Sequence, residues 1–251
     1  MTDIEDIANR TAAGIALACR PGEAGPVEIT ECLLERIANA KVDRARAEAH
    51  KAEARYAAGM PSSALDGVAI AWKDIFDVAG TPTTATSKLL AGGPVKAAVM
   101  PCVASIKAAG MVTVGKLNMT EFAFSGLGLN PHFGAPLNPN DRNTPRSPGG
   151  SSSGSGAAVA ARLVPCAIGS DTGGSGRIPA AFNGVGYKTS TGRIETLVPL
   201  ARTYDTIGPL ARSVEDCWTC SCAGASPPDS RWQLMAKDLR ARRRSRRRTR
   251  R

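Results

Sequence analysis

Lys73 stands directly after a short apolar run, residues 68–72, and its placement suggests acid–base chemistry. Such a run predicts a buried strand, and lysine is rarely buried without a task. Burial disfavours the ammonium form, so a buried lysine can supply a neutral amine as a base near pH 7. The alternative is a lysine at a strand end that pairs with Asp74 or Asp77, or that extends its ammonium to water.

Two glycine-rich segments further along the chain carry serines. In residues 171–177, consecutive glycines let the backbone turn its N–H groups toward one point, as an oxyanion hole requires. Ser175 lies at the end of this turn, and Asp171 and Arg177 are expected to pair across it. Residues 149–156 place serines ahead of an apolar helix, where serines cap helices or bind anions. An ordinary tight turn and a flexible linker are the alternatives for these two segments.

The histidines and cysteines do not suggest a catalytic triad or a metal centre. A Ser-His-Asp triad needs a histidine beside its serine, but His50 falls in a predicted exposed helix and His132 in a loop, where it is expected to anchor the backbone. A serine enzyme would therefore need another base. Cys217, Cys220 and Cys222 cluster without a second ligand pair of matching spacing, so no metal is expected. The odd number of cysteines, seven, predicts reduced thiols.

The elements that must position these residues alternate between strands and helices. A helix over residues 3–19, a second from near Thr30 and an exposed one over residues 45–58 come first. The apolar pattern then predicts, in chain order, a strand at 68–72, a helix at 99–109, a strand at 111–115, a helix at 157–163 and a strand at 164–168. This alternation predicts an α/β fold in which helices cover a sheet.

Together these segments resemble the amidase signature family, whose members use a Ser–cis-Ser–Lys triad. The resemblance covers roughly residues 4–216 and implies an α/β fold with a mixed sheet flanked by helices. The motifs that carry it are residues 66–68, 72–80, 115–122, 149–154 and 170–182.

The resemblance assigns a role to each reactive residue. Ser175 would be the acyl nucleophile, Ser151 after a cis Gly150–Ser151 peptide would be the bridging serine, and Lys73 would be the base. Lys73 would take a proton through Ser151, Ser175 would attack an amide carbonyl, and water would release the acid from the acyl-enzyme. The N–H groups that would hold the oxyanion belong to Thr172, Gly173, Gly174 and Ser175. Asp171 and Arg177 would give structural support.

Three features depart from the family's pattern. Position 176 is glycine where the family usually has a branched apolar residue, which is expected to loosen the turn behind Ser175. The segment around residues 42–47 looks shortened. Family members are also considerably longer, and the resemblance ends near Asp216. Residues 1–216 are therefore expected to be the N-terminal part of the domain with its C-terminal half missing, and residues 217–251 a non-homologous, disordered Arg-rich tail, as a frameshift near Cys217 would give.

The charge of the chain belongs to that tail. The 251 residues are 43% hydrophobic, as in a globular α/β protein, and no apolar stretch reaches the ~18 to 20 residues of a membrane span. Residues 231–251 carry the whole formal net charge of +10. Such a tail would attract nucleic acid or anionic surfaces in a salt-dependent way, but without a folded reader motif no specific nucleic acid is expected. No apolar signal-peptide core follows the acidic N-terminus, so a cytoplasmic location without membrane association is expected.

The expected function is hydrolysis of a carbon–nitrogen amide bond in a small-molecule substrate, with no cofactor or metal implied. One rival within the family is the A subunit of the glutamyl-tRNA(Gln) amidotransferase. Stand-alone amidases are preferred because residues 124–131 resemble theirs more closely. The other rival is a catalytically inactive truncated fragment, in which the loss of half a sheet would expose an apolar edge. The oligomeric state, a homodimer included, stays open.

Overall fold

A computed structural model describes residues 3–37, 42–97, 100–141, 143–189, 200–201 and 203–224. The strands in these ranges are β1 (Ala69–Lys73), β2 (Val112–Leu117), β3 (Cys166–Asp171), β4 (Gly186–Tyr187) and β5 (Thr206–Ala211). The α-helices are α1 (Ile4–Ala8), α2 (Ala12–Cys19), α3 (Pro26–Glu35), α4 (Val42–Ala57), α5 (Pro101–Ala108), α6 (Ser153–Ala160), α7 (Arg177–Asn183) and α8 (Val214–Gly224). A short 3₁₀ helix spans Glu121–Ala123. No helix in these ranges is long and apolar enough to cross a membrane.

The strands form one mixed sheet in the order β2-β1-β3-β5-β4, so the predicted α/β class is confirmed. β1 pairs in parallel with β2 and with β3, whereas β5 runs antiparallel to β3 and to β4. Because β1 and β3 are parallel neighbours, they end at the same edge of the sheet, at Lys73 and Asp171. The antiparallel strand β5 begins at that edge, where Thr206 pairs with Asp171.

The N-terminal helices differ from those predicted. The expected helix over residues 3–19 is two helices, because Thr11 is extended and its side chain accepts a hydrogen bond from the amide of Gly14 as the N-cap of α2. α3 begins at Pro26 rather than near Thr30, with its proline in the first turn, where the missing N–H costs nothing. The predicted start at Val99 of the next helix lies outside the described residues.

Two later helices depart from the sequence prediction: α6 begins earlier than predicted, and α8 lies where no helix was predicted. α6 begins at Ser153, inside the glycine–serine tract. It packs so closely against the residue after β2 that a Cβ on Gly154 would be 2.7 Å from backbone atoms of Asn118. α8 continues past the predicted boundary at Asp216 as far as Gly224, because the buried side chains of Cys217 and Cys220 pack in the core. The rest of the predicted tail, residues 225–251, lies outside the described residues.

The region around α8 is tied to the first helices. The carboxylate of Asp216 is fully buried and accepts hydrogen bonds of 3.0 Å from the amides of Ala12 and Ala13, at the start of α2. The guanidinium of Arg212 donates to the carbonyl oxygens of Asn9 and Arg10, in the turn between α1 and α2. Residues about 200 positions apart in sequence therefore close one side of the core together.

Candidate active site

The side chain of Lys73, at the end of β1, is fully buried at the edge where β1 and β3 end. Its Nζ donates to the hydroxyl of Ser151 at 2.7 Å and to that of Ser170 at 2.8 Å. Burial lowers the pKa of Lys73 to about 7, against the opposing influence of the charges of Asp171 and Asp205. The amine is thus a base that is partly neutral near pH 7 and in contact with a serine hydroxyl.

The pairings considered as the alternative for Lys73 involve other lysines. Asp74 forms an ion pair with Lys116 of β2 at 2.8 Å, and Asp77 lies 3.5 Å from Lys96. In the part of the chain that the structure describes, Lys73 has no ion-pair partner. Its ammonium therefore depends on the serine hydroxyls for direct contacts.

Ser170 is a residue of the site that the sequence analysis did not single out. It lies one position before the end of β3, where its buried hydroxyl accepts a hydrogen bond from Lys73. A signal was available, since parallel neighbouring strands bring their last residues together. The polar residues that end β3 were therefore candidates for contact with the lysine that ends β1.

Ser151 contacts Lys73 from the segment that leads into α6. The Gly150–Ser151 peptide is cis, as the resemblance implies. Ser151 is fully buried, and its carbonyl oxygen accepts a hydrogen bond of 3.0 Å from the amide of Thr120. The next residue, Ser152, donates its amide to the carbonyl oxygen of Ser175 at 3.1 Å. A backbone hydrogen bond thus joins the segment that contains Ser151 to the segment that contains Ser175.

The carboxylate of Asp171 organises the loop that holds Ser175. It accepts hydrogen bonds from the amides of Gly174, Gly176 and Arg177 at 2.8–3.1 Å. The guanidinium of Arg177 donates two more, at 3.0 Å each, so the expected ion pair is present. Burial tends to raise the pKa of Asp171, but the hydrogen bonds and charge of Arg177 lower it below its usual value. The loop is therefore wrapped around a carboxylate that stays ionised.

Comparison with known proteins shows to which family this chain belongs. The sequence model of the family described as Amidase matches residues 28–251.

The chain belongs to the amidase family.

The amidase relatives include both amidotransferase components and solved amidases. The A subunit of the glutamyl-tRNA(Gln) amidotransferase of Azotobacter vinelandii is 45% identical over 237 residues, which cover 88% of this chain and 48% of that protein. A solved inhibitor complex described as showing the origins of an s-triazine catabolic enzyme has a TM-score of 0.81 and 37% identity, over 88% of this chain and 50% of that one. The peptide amidase of Stenotrophomonas maltophilia has a TM-score of 0.78 and 33% identity, over 88% and 48%. The chain therefore spans about half the length of the relatives it matches.

One of the four amides expected in the oxyanion hole is already committed. The N–H of Gly174 donates to Asp171 Oδ1 at 2.8 Å, so it points into the loop and not toward a substrate. The other three amides belong to Thr172, Gly173 and Ser175. Ser175 itself is 9% exposed, and its hydroxyl makes no hydrogen bond within the described ranges. A hydroxyl in this state can meet a substrate without first losing a partner.

Gly176 has a packing partner that the sequence analysis did not foresee. A Cβ at this position would lie less than 3.0 Å from three ring carbons of Tyr187 in β4. The tyrosine ring therefore occupies the space next to position 176, where amidase signature enzymes were expected to have a branched side chain. The turn behind Ser175 is packed, and the amide of Gly176 is held by Asp171. The loosening expected from this glycine stays a prediction, and these two contacts oppose it.

In the described part of the chain, the contacts of the two histidines are with residues other than Lys73. His50 is on α4 with a side chain that is 66% exposed, 3.9 Å from Glu53. His132 lies 3.7 Å from Glu121, and its backbone amide donates to the side chain of Asn130. It is Asn130 that anchors this loop, because its amide group also donates to two backbone carbonyl oxygens. Across the residues with described positions, no group of three His, Cys, Asp or Glu side chains could hold a metal ion.

Proposed function

We propose that this chain hydrolyses a carbon–nitrogen amide bond, with Ser175 as nucleophile, Ser151 as proton relay and Lys73 as base. The observation that carries the proposal is the position of Lys73, a fully buried amine 2.7 Å from the hydroxyl of Ser151. Membership of the amidase family supports the reaction class. Because the chain spans about half of each relative, its activity and substrate are part of the proposal.

The reaction begins with two proton transfers. Once the Ser175 hydroxyl has turned to within hydrogen-bonding distance of Ser151, neutral Lys73 takes the proton of Ser151 while Ser151 takes that of Ser175. The Ser175 oxygen then attacks the carbonyl carbon of the amide. The electron pair of the C=O bond moves onto the carbonyl oxygen. Backbone N–H groups of Thr172, Gly173 and Ser175 hold this oxyanion. A pKa of Lys73 near 7 suits both directions of transfer, because the same amine must release the proton in the next step.

Collapse of the tetrahedral intermediate breaks the carbon–nitrogen bond. The leaving amine takes the proton that Lys73 returns through Ser151, and the acyl group remains as an ester on Ser175. Water, deprotonated by the same relay, then attacks the ester and releases the acid. Ser170 is proposed to orient the amine, since it provides the second acceptor for Nζ. Arg177 and Asp171 are proposed to keep the loop of Ser175 in shape.

Labelling by a fluorophosphonate probe tests the assembled nucleophile. We expect the purified 251-residue chain to be labelled, and the variants Ser175→Ala, Lys73→Ala and Ser151→Ala to lose labelling. Ser105→Ala on α5 and Lys51→Ala on α4 are matched controls outside the site and should label like the parent. Absence of labelling in a folded parent would favour the inactive fragment considered above. Labelling that survives Ser175→Ala would refute the assigned nucleophile.

A second candidate is the hydrolysis of the side-chain amide of glutamine. It is favoured by the 45% identity to the A subunit of the Azotobacter vinelandii amidotransferase. Ammonia release from glutamine can be compared with product release from an aryl amide and from a C-terminal peptide amide. Ammonia from glutamine alone would select the amidotransferase type of reaction. Turnover of an aryl or peptide amide would select the stand-alone type.

A further inference from the structure

Asp205 lies directly before β5, at the edge of the sheet where β1 and β3 end, and is 5% exposed. Its carboxylate accepts a hydrogen bond of 2.6 Å from the hydroxyl of Thr172. It also accepts bonds from the amides of Leu200 and Ala201 at 3.0–3.1 Å. One buried carboxylate thus joins the turn ahead of β5 to the first residue of the loop that leads to Ser175.

A second bond reinforces this junction from the other side. The hydroxyl of Thr206 donates to the carbonyl oxygen of Asp171 at 2.8 Å. The last residue of β3 and the residue after it are therefore each bound to one of two consecutive residues at the start of β5. Thr172 is thus held through its side chain, at a residue whose backbone amide is assigned to the proposed oxyanion hole.

We propose that Asp205 is a positioning residue of the amide-cleaving site, which fixes Thr172 ahead of Ser175 and whose negative charge, unpaired within the described residues, acts on Lys73. This inference rests on the proposed function, because it assigns the Thr172 amide to the oxyanion. Asp205 touches neither substrate nor the reacting atoms in this scheme. It acts through Thr172 and through its charge.

The effect of the Asp205 charge on Lys73 depends on which other charged groups act on the same amine. Asp171 faces it from β3, but the carboxylate of Asp171 is paired with the guanidinium of Arg177. On the β2 side, Asp74 and Lys116 neutralise one another. Asp205 accepts only from neutral donors and has no ion-pair partner among the residues whose positions are described. Within these residues its charge acts on Lys73 without a neighbouring cation, although the charge of Asp171 has the larger influence on the Lys73 pKa.

Removal of the Asp205 charge is expected to lower the pKa of Lys73. The negative charge of Asp205 stabilises the ammonium form and opposes the lowering of the Lys73 pKa by burial. Asp205→Asn removes the charge and keeps a carbonyl oxygen for Thr172. The pKa of Lys73 should then fall below its value of about 7, so that the acid limb of Ser175 labelling moves to lower pH. Thr172→Val removes the hydrogen bond, keeps the charge, and should leave the acid limb in place.

The experiment measures fluorophosphonate labelling rates from about pH 5.5 to 9 in the full chain. We expect Thr172→Val to slow labelling about 10- to 100-fold through misplacement of the loop, and Thr172→Ser to restore the parent rate. Asp205→Asn should shift the acid limb downward. Asp43→Asn, on the exposed face of α4, is the matched control for the loss of a carboxylate and should change neither quantity. Equal rates for Thr172→Val and Thr172→Ser, or an unmoved acid limb in Asp205→Asn, would overturn the proposal.

A second readout separates this proposal from the proposed function. The ¹³C shift of Lys73 Cε, assigned by its loss in Lys73→Met, reports the titration without any turnover. If the parent is not labelled, the proposed function fails, and the Cε titration alone decides the role of Asp205. A lower midpoint in Asp205→Asn than in the parent and in Asp43→Asn supports it, and equal midpoints refute it. If Asp205→Asn does not fold, the two Thr172 variants decide whether the loop is positioned from this side.

Discussion

Among the residues that the structure describes, the Nζ atom of Lys73 bonds to two serine hydroxyls and to no carboxylate. This environment accounts for a pKa of about 7, because burial removes water from the ammonium and the nearest anions act without direct contact. A catalytic base transfers protons most efficiently when its pKa lies near the working pH. The chemistry proposed for this residue therefore follows from where β1 ends and from what surrounds that point.

Replacement of Lys73 by methionine should change how stability depends on pH. The folded pKa of about 7 lies below the ordinary value of 10.5, so between these values the unfolded chain binds a proton that the folded chain does not. The parent should therefore gain stability relative to Lys73→Met as the pH rises through this window. Urea unfolding of both chains at about pH 6, 8 and 10 measures the difference in the free energy of unfolding. A difference independent of pH would contradict the low pKa.

Ser170 gives a second prediction at the scale of single residues. Ser170→Ala removes one of the two acceptors of the Lys73 ammonium, so the amine loses its fixed position and labelling of Ser175 should slow about 10-fold. Ser170→Thr keeps a hydroxyl and should restore most of the rate. Ser155→Ala is a matched control, since this buried serine donates to the carbonyl oxygen of Ile168. A Ser170→Ala chain that labels as fast as the parent would exclude a role in orienting Lys73.

Sequence reasoning reached some of these residues and missed others for identifiable reasons. Lys73 was a candidate because lysine is rarely buried, but its role as the base came from the resemblance to amidase signature enzymes. Ser170 and Asp205 could not be predicted with the same ease, since serine and aspartate are common at strand ends and in turns. Their roles arise from pairing between strands that are distant in sequence. The commitment of the Gly174 amide to Asp171 likewise depends on how the loop closes around the carboxylate.

At the scale of elements, substitutions at Gly176 test how closely the loop after Ser175 packs against β4. Gly176→Val would place side-chain atoms against the ring of Tyr187 and should destabilise the fold by about 1–3 kcal/mol. Combining it with Tyr187→Ala should recover part of that loss, because the two positions share one space. Gly173→Ala serves as the stability control, since a Cβ there would meet nothing within 4 Å. Thermal unfolding of the parent, the single variants Gly176→Val and Tyr187→Ala and the double variant measures the coupling, and strictly additive losses would contradict the contact.

The elements themselves were predictable where the apolar pattern was strong. The three buried strands β1, β2 and β3 lie within a few residues of their predicted positions. The break between α1 and α2 was missed because apolar residues continue at helical spacing across it, while the cap of Thr11 starts a new helix. The start of α6 was missed because serine and glycine are poor helix formers on average, yet here only small residues fit between the helix and its neighbours.

At the scale of the whole molecule, Asp216 links the two ends of the described chain. Asp216→Ala would leave the first amides of α2 without an acceptor in a buried position and should cost about 1–2 kcal/mol in the free energy of unfolding. Asp216→Asn keeps one acceptor oxygen and should cost less. Urea denaturation gives both values. If the two variants match the parent, the cap contributes nothing to stability.

The hydrogen bonds of Asp216 and Arg212 to residues 9–13 also limit how far the N-terminus of this chain can be shortened. The match to the amidase family begins at residue 28, beyond α1 and α2. A shortened protein that starts there would keep every catalytic motif and lose the amides and carbonyl oxygens that bind these two charged side chains. It would then expose apolar side chains that pack against the first helices, and its buried carboxylate would lack donors. We therefore do not expect the residue where the family's sequence model begins to match to be a point where the polypeptide can be shortened.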